Sequence, residues 1–238
     1  RPSGSSDPYA LRRNLNGIIQ IIWQNNFDLR FDKLFSKLIN HWSTEFNSLN
    51  FNYQEILDDL IEFSTQRIIS HLEDSSYDRD IISSTCESEN IRHLNILDLA
   101  DLKKRIETIQ KFKSRKNSSN LINIISRYTK LANKGNMEKN IYDCKSKINN
   151  KFFEKNSEKV VFKFLLLLEN LINTQDWEYD QLINLFEENI QVMVEIFDNN
   201  NGVMIMTEDL NLRDNRLNLL ALVRNYSLLI ADFTLLNS

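Results

Sequence analysis

Glycine and proline are scarce in this sequence, which has 4 glycines and 2 prolines among its 238 residues. Folds built from many short strands need these residues at their turns, so the scarcity argues against them and favours long helices. The 2 cysteines, Cys86 and Cys144, form no Cys-X-X-Cys pair. This spacing predicts neither a metal knuckle nor a disulfide framework, and two reduced thiols fit a cytoplasmic location.

Long apolar runs are also lacking. The most apolar run, residues 160–168, is interrupted by Lys163 and followed by Glu169, and it falls far short of the roughly 20 residues of a membrane-spanning helix. The first residues contain no apolar core of a secretory signal peptide. We therefore expect no membrane partner.

The motifs of self-contained active sites are missing too. The 3 histidines lie at unrelated points and form no His-Glu-X-X-His pair, and the 4 glycines are too dispersed for a phosphate-binding loop. Neither a Gly-X-Ser-X-Gly motif nor a Cys-His pairing stands out. We expect no catalytic residue, no metal site and no cofactor within this chain.

Apolar residues recur at helical spacing along most of the sequence, and no segment alternates as a strand does. The predicted fold class is all-α, a helical bundle, with a boundary near residues 86–95 that gives regions 1–90 and 91–238. Residues 160–172 are apolar on nearly every side and predict a central buried helix. Predicted core stripes include Leu11, Leu15, Ile18 and Ile22 in the first helix, and Phe31, Leu34, Leu38 and Trp42 in the second.

An apolar run at residues 203–206, Val-Met-Ile-Met, stands between two polar stretches. The preceding Asp198–Gly202 supply turn conformations that Asn and Gly tolerate. We therefore predict that residues 203–206 fold back into the core, where the two methionines have a structural role, and that Thr207 caps the next helix.

Charge is strongly polarised along the chain. Residues 103–155 contain 15 Lys or Arg and 4 Asp or Glu, a net charge of +11; the whole chain carries −4, which leaves −15 for the remainder. Such a segment suits a face that docks on phosphates, and Tyr128 within it could stack on an unpaired base. The alternative is a solvated lysine-rich surface with Tyr128 in the core. The candidate RNA-binding residues are Arg105, Lys111, Lys113, Arg115, Lys116, Arg127, Tyr128, Lys130 and Lys134.

Several blocks carry a family resemblance. Residues 2–13, PSGSSDPYALRR, and residues 197–220, FDNNNGVMIMTEDLNLRDNRLNLL, are the longest, and Glu62-Phe63 with Arg67 and Tyr77-Asp78 lie between them. In this order they resemble the C-terminal portion of bacterial-type glycyl-tRNA synthetase beta subunits. Residues 128–134, YTKLANK, are only an approximate counterpart of that family's pattern.

The resemblance implies a DALR-type anticodon-binding domain preceded by a helical connecting region. It also implies a function: binding tRNA(Gly) and positioning it for ATP-dependent glycylation on the synthetase alpha subunit. The partners would be tRNA(Gly) and that alpha subunit, which uses ATP and magnesium, so the chain would be a non-catalytic part of an aminoacyl-tRNA ligase.

Two other interpretations stay open at this point. One is a non-catalytic, all-helical scaffold that docks a protein partner. The other is a DALR-type domain of an arginyl- or cysteinyl-class synthetase, which would not explain the block at residues 2–13.

Overall fold

The structure, a computed structural model, describes residue 7 and residues 9–46, 52–91 and 96–237. These residues form helices and connecting turns without a β-strand, which confirms the all-α prediction. The chain divides into two compact units, residues 1–107 and 108–238. The division between the two units falls inside a helix. The domain regions 1–90 and 91–238 that the sequence suggests stay a prediction.

Unit 1 contains three long helices and a short one. They are α1 (Leu11–Asn25), α2 (Phe31–Glu45), α3 (Tyr53–Asp74) and α4 (Arg79–Ile82), the last continuing into a π-helical turn at Ser83–Glu87. Both α1 and α2 pack against α3, and Ile19, Phe31 and Ile68 lie in the resulting core. Helix α5 (Leu99–Lys113) begins in this unit.

The core faces of α1 and α2 differ from the predicted stripes. Helix α1 buries Leu15, Ile19 and Ile22, whereas Leu11 and Ile18 are exposed. Helix α2 buries Phe31, Phe35 and Ile39, whereas Leu38 and Trp42 are exposed, Trp42 by 50%. Both helices carry apolar residues on two sides, so helical spacing alone could not decide which side faces the core.

Unit 2 is built around its last long helix. Its elements are α6 (Ser118–Ala132), α7 (Cys144–Lys147), α8 (Asn156–Ile172), α9 (Tyr179–Glu188), α10 (Ile190–Glu195) and α11 (Leu210–Leu228). Helices α6 and α8 pack against α11, and most of α11 is buried. The prediction that residues 160–172 form the central helix was wrong, because Lys163 and Leu167 of α8 are exposed.

Helix α11 was less conspicuous in the sequence because it carries buried polar residues, each held by specific partners. Arg216 donates to Glu158 Oε1 at 3.0 Å and to the carbonyl oxygen of Met204 at 3.0 Å. Glu158 in turn accepts from the backbone N–H groups of Glu154 and Lys155 at the start of α8. This network ties α8, α11 and the segment before α11 together.

The segment before α11 only partly follows its prediction. Ile205 is 6% exposed and enters the core, but Met204 is 74% exposed and Met206 is also exposed, so a core role for the methionines is wrong. A Cβ at Gly202 would lie 2.3 Å from the carbonyl oxygen of Asp198, so the turn requires glycine. The cap of α11 is Asp209, whose carboxylate accepts from two backbone N–H groups, and not Thr207.

Candidate nucleic-acid interface

Two of the nine predicted RNA-binding residues lie in the core. Arg105 is 1% exposed, and its guanidinium contacts Asp101 at 2.8 Å within unit 1. Tyr128 is fully buried in unit 2, where its hydroxyl donates to the carbonyl oxygen of Met193 at 2.9 Å. Burial raises the pKa of Tyr128 well above its ordinary value. The core alternative for Tyr128 is therefore correct, and neither side chain is accessible to RNA.

Acidic groups of α9 contact two further candidates. Arg115 pairs with Glu187, lies 3.7 Å from Asp180 and donates to Asn184 at 2.8 Å. Lys111 lies 3.8 Å from the same Asp180. Because these carboxylates compete with phosphate for its guanidinium, Arg115 is a weak candidate for RNA contacts. The single long contact of Lys111, whose side chain is 67% exposed, competes little with a ligand.

Three of the five remaining basic candidates, Arg127, Lys130 and Lys134, lie on the outer face of α6 or just past its end. Leu121, Ile125 and Ala132 turn one face of this helix into the core. The opposite face carries exposed polar residues at intervals of three and four, which places them in one row. We call this row the α6 stripe: Asn120, Asn123, Arg127, Lys130 and Lys134.

The α6 stripe is positively charged without acidic neighbours on its own helix, since residues 118–132 include no Asp or Glu. In the part of the chain that the structure describes, Lys130 and Lys134 form no ion pair. The guanidinium carbon of Arg127 lies 4.0 Å from the centre of the Phe197 ring, which orients that side chain and leaves its charge exposed. Lys116 is exposed just before the helix, and Lys113 is half-buried.

Buried side chains of α11 fix the chain that follows the stripe. Arg224, which is almost fully buried, donates to Asn133 Oδ1 at 3.0 Å and to the carbonyl oxygen of Met137 at 2.7 Å. Asn225 donates to the carbonyl oxygens of Glu138 and Ile141, both at 2.8 Å. Burial lowers the pKa of Arg224. Residues 133–142 are thus anchored at several backbone positions.

Asparagines of the stripe escaped the sequence-based prediction, which considered basic residues and one aromatic residue. Asn120 and Asn123 share the face of Arg127 by spacing, and that spacing was the available signal. Amide side chains supply both donors and acceptors for hydrogen bonds to RNA.

Among the residues that the structure describes, no group of three or more His, Cys, Asp or Glu side chains is arranged to hold a metal ion. No helix within the described ranges combines the length and the apolar character needed to cross a membrane.

Comparison with known proteins identifies the relatives of this chain. The model of the family described as glycyl-tRNA synthetase beta subunit matches residues 1–87. The glycine–tRNA ligase beta subunit of Acaryochloris marina is 32% identical over 238 residues, which cover 98% of this chain and 33% of the relative. The corresponding subunit of Lactococcus lactis subsp. lactis is 31% identical over 243 residues, covering 100% of this chain and 31% of the relative.

The similarity covers nearly all of this chain but only about one third of the length of these relatives. It includes both the N-terminal block and the segment before α11 that carry the sequence resemblance. The chain is therefore similar to the C-terminal part of glycyl-tRNA synthetase beta subunits, over about one third of their length.

Proposed function

We propose that this chain is the tRNA-binding part of a glycyl-tRNA synthetase beta subunit. Its relatives are beta subunits of glycine–tRNA ligase, which supports a role in tRNA glycylation. The observation that carries the proposal is the α6 stripe, an acid-free row of cations and amides on the solvent face of a rigid helix. Unit 2 would be the DALR-type anticodon-binding domain, and unit 1 would supply most of the connecting region.

The proposed mechanism is positioning. Arg127, Lys130 and Lys134 would contact phosphates on one side of the anticodon arm, and the two asparagines would bond to sugar or base atoms between them. A 15-residue helix is about 22 Å long, which allows contacts over several nucleotides. Phosphate contacts supply affinity and register, so they would hold the tRNA in one orientation on this chain.

The chemical step would take place elsewhere. We propose that the alpha subunit carries the glycine and ATP site, uses magnesium, and receives the acceptor end of tRNA(Gly) held by this chain. In that arrangement the chain contributes to ligase activity by lowering the entropy cost of bringing the reacting groups together.

A matched pair of double variants tests this function. Lys130→Ala/Lys134→Ala removes two cations of the α6 stripe, whereas Lys159→Ala/Lys163→Ala removes two exposed lysines at the same spacing on α8. Binding to a glycine tRNA transcript is measured by fluorescence anisotropy between about 50 and 200 mM salt. We expect the α6 variant to lose affinity and its slope of log affinity against log salt to flatten by about 1.5–2.

The α8 variant is expected to retain wild-type affinity and slope. Equal effects of the two variants would mean that the tRNA responds only to overall charge, and the α6 stripe would lose its assigned role. No detectable binding by the wild-type chain at the lowest salt would contradict the proposed function itself.

A protein-docking function is the second candidate, and an apolar groove in unit 1 favours it. The groove lies between α2 and α3, has a volume of about 410 Å³, and is lined by Leu38, Trp42, Phe46 and Leu60 among others. Exposed apolar grooves of this kind mark protein interfaces. The alpha subunit is the partner that the family suggests.

Sedimentation of this chain with a glycyl-tRNA synthetase alpha subunit tests the second candidate. We expect Trp42→Ser to weaken a complex if the groove forms the interface, because a buried aromatic anchor dominates such contacts. Phe27→Ser, which changes an exposed aromatic residue outside the groove, serves as the control. A complex unaffected by Trp42→Ser would exclude the groove from that interface.

A further inference from the structure

A polar groove runs beside α11 in unit 2, close to the end of the α6 stripe. It consists of two adjoining cavities of about 560 and 640 Å³. Lys147, Asp214 and Asn218 line both cavities, so the two are continuous at these residues. We call the pair the α11 groove. Each cavity falls within the range of ordinary small-ligand pockets.

The rim of the larger cavity is cationic. Lys145, Lys147 and Lys151 line it and are exposed, and they come from α7 and the 3₁₀ turn that follows. Phe152, a half-buried aromatic residue, lies beside Lys151 on the same wall. Cations next to an aromatic surface suit a ligand that combines a phosphate with a flat ring.

An unpartnered amide adds a second, independent observation. Asn215 lines the larger cavity and is 5% exposed. Its side-chain oxygen accepts from the backbone N–H of Asn149 at 2.8 Å. Its amide nitrogen is buried and has no hydrogen-bond partner among the residues that the structure describes. A buried donor without a partner destabilises the unliganded protein, and the nitrogen must turn toward the cavity before an acceptor group of a ligand can satisfy it.

The junction between the cavities offers an acidic acceptor. Asp214 is the acidic residue shared by both cavities, and its side chain is 67% exposed. Its ion pair with Arg213, at 3.9 Å, is long and solvated and competes little with a ligand. Asn218 beside it donates to the carbonyl oxygen of Lys147 at 3.3 Å, which leaves its side-chain oxygen as a further acceptor.

The groove continues directly from the α6 stripe. Lys134 ends the stripe, and the next residue, Gly135, lines the smaller cavity. A Cβ at Gly135 would lie 3.2 Å from Cβ of Leu217, so the chain approaches α11 closely here. Arg224 holds the backbone around this point in place through Asn133 and Met137. A strand of RNA bound along the stripe would therefore arrive at the groove.

We propose that the α11 groove receives an unstacked nucleotide of single-stranded RNA and that Asp214 selects a base with an exocyclic amino group. The proposal rests on the RNA-binding function of the α6 stripe. The lysines of the rim contact the phosphate, and the Asp214 carboxylate accepts a hydrogen bond from the amino group. Cytosine N4 is such a donor, whereas the O4 atom of uracil turns a second acceptor toward the carboxylate.

Cytidine and uridine octamers test the selection, because they have equal charge and similar size. Binding of fluorescently labelled octamers to the chain is measured at low salt by anisotropy. We expect the cytidine octamer to bind between about 5-fold and 150-fold more tightly, as for one base-specific hydrogen-bonded contact. Asp214→Asn should bring this ratio close to one, because an amide can donate to uracil as well as accept from cytosine.

Glu208→Gln is the matched control, since it removes one exposed negative charge just before α11 without touching the groove. It should leave the cytidine-to-uridine ratio unchanged, even if both octamers bind more tightly. A wild-type ratio near one, or an unchanged ratio in Asp214→Asn, overturns the proposal. Circular dichroism verifies that each variant is folded.

The results also distinguish this proposal from the function on which it rests. If both octamers bind equally and Lys130→Ala/Lys134→Ala weakens both, the RNA-binding function stands and the base selection by Asp214 is wrong. If neither octamer and no glycine tRNA transcript binds the wild-type chain, the RNA-binding function itself has failed.

Discussion

The buried ion pair between Arg216 and Glu158 gives a sharp prediction about stability. Arg216 is 3% exposed and Glu158 is fully buried. The second carboxylate on Arg216, that of Glu154 at 2.7 Å, is 62% exposed and contributes little. Arg216→Met removes the cation and leaves the Glu158 carboxylate buried without its ion-pair partner.

Loss of one partner of a buried pair costs about 3–5 kcal/mol. Glu158 would still accept from the backbone N–H groups of Glu154 and Lys155, so we expect the lower end, about 3 kcal/mol. For a unit of this size the midpoint of thermal unfolding should fall by roughly 12 °C. Arg213→Met, on the more exposed side of the same helix, should change the midpoint of thermal unfolding by less than about 2 °C.

Thermal unfolding followed by circular dichroism provides the assay. The single variants Arg216→Met and Glu158→Gln and the double variant Arg216→Met/Glu158→Gln form a double-mutant cycle. Because Glu158→Gln removes the buried charge, it should recover part of the loss, with a coupling of about 1–3 kcal/mol. A cost below about 1 kcal/mol for Arg216→Met, or strictly additive effects, would refute the assignment of this pair as the link between α8 and α11.

Three further predictions concern individual side chains. Burial raises the pKa of Cys144 to about 12. Because the thiolate is the reactive form, Ellman's reagent at about pH 8 should label Cys144 only after unfolding. Rapid labelling of the native chain would contradict the burial of this thiol. Arg224→Lys removes the planar guanidinium that holds residues 133–142. Hydrogen exchange should therefore accelerate at the backbone amides of residues 133–142. Unchanged exchange would mean that other contacts hold this segment. Burial lowers the pKa of His71. Below about pH 6.5 the unfolded state binds a proton more readily than the folded state, so the free energy of unfolding should decrease as the pH is lowered. His71→Asn should remove this part of the pH dependence in denaturant titrations.

Sequence patterns predicted the helical class and the basic segment at residues 103–155, because both are local properties. The face of α6 follows from its apolar residues at Leu121 and Ile125, and the position of Arg127 and Lys130 on the opposite side follows from the same spacing. The similarity to glycyl-tRNA synthetase beta subunits was visible in the blocks at residues 2–13 and 197–220. These features need no knowledge of which helices become neighbours.

The failures involve partners distant in sequence. Arg115 was a reasonable candidate from the sequence, but in the structure it pairs with Glu187, 72 residues away. Tyr128 donates to Met193, 65 residues away, and this contact places it in the core. Helix α11 is mostly buried although it carries Arg216 and Arg224, because these side chains have partners on other segments. Burial of a polar residue depends on such tertiary contacts, which helical spacing does not encode.

Lysine labelling in the presence of RNA tests the central claim most directly, because it uses the unaltered chain. The chain is treated briefly with an amine-reactive acetylating reagent, with and without a glycine tRNA transcript, and labelling at each lysine is quantified by mass spectrometry. We predict that tRNA protects Lys130 and Lys134 several-fold and leaves Lys159 and Lys163, exposed on α8, unprotected. Equal protection of all four lysines, or protection of the α8 pair alone, would contradict a tRNA-binding surface on α6.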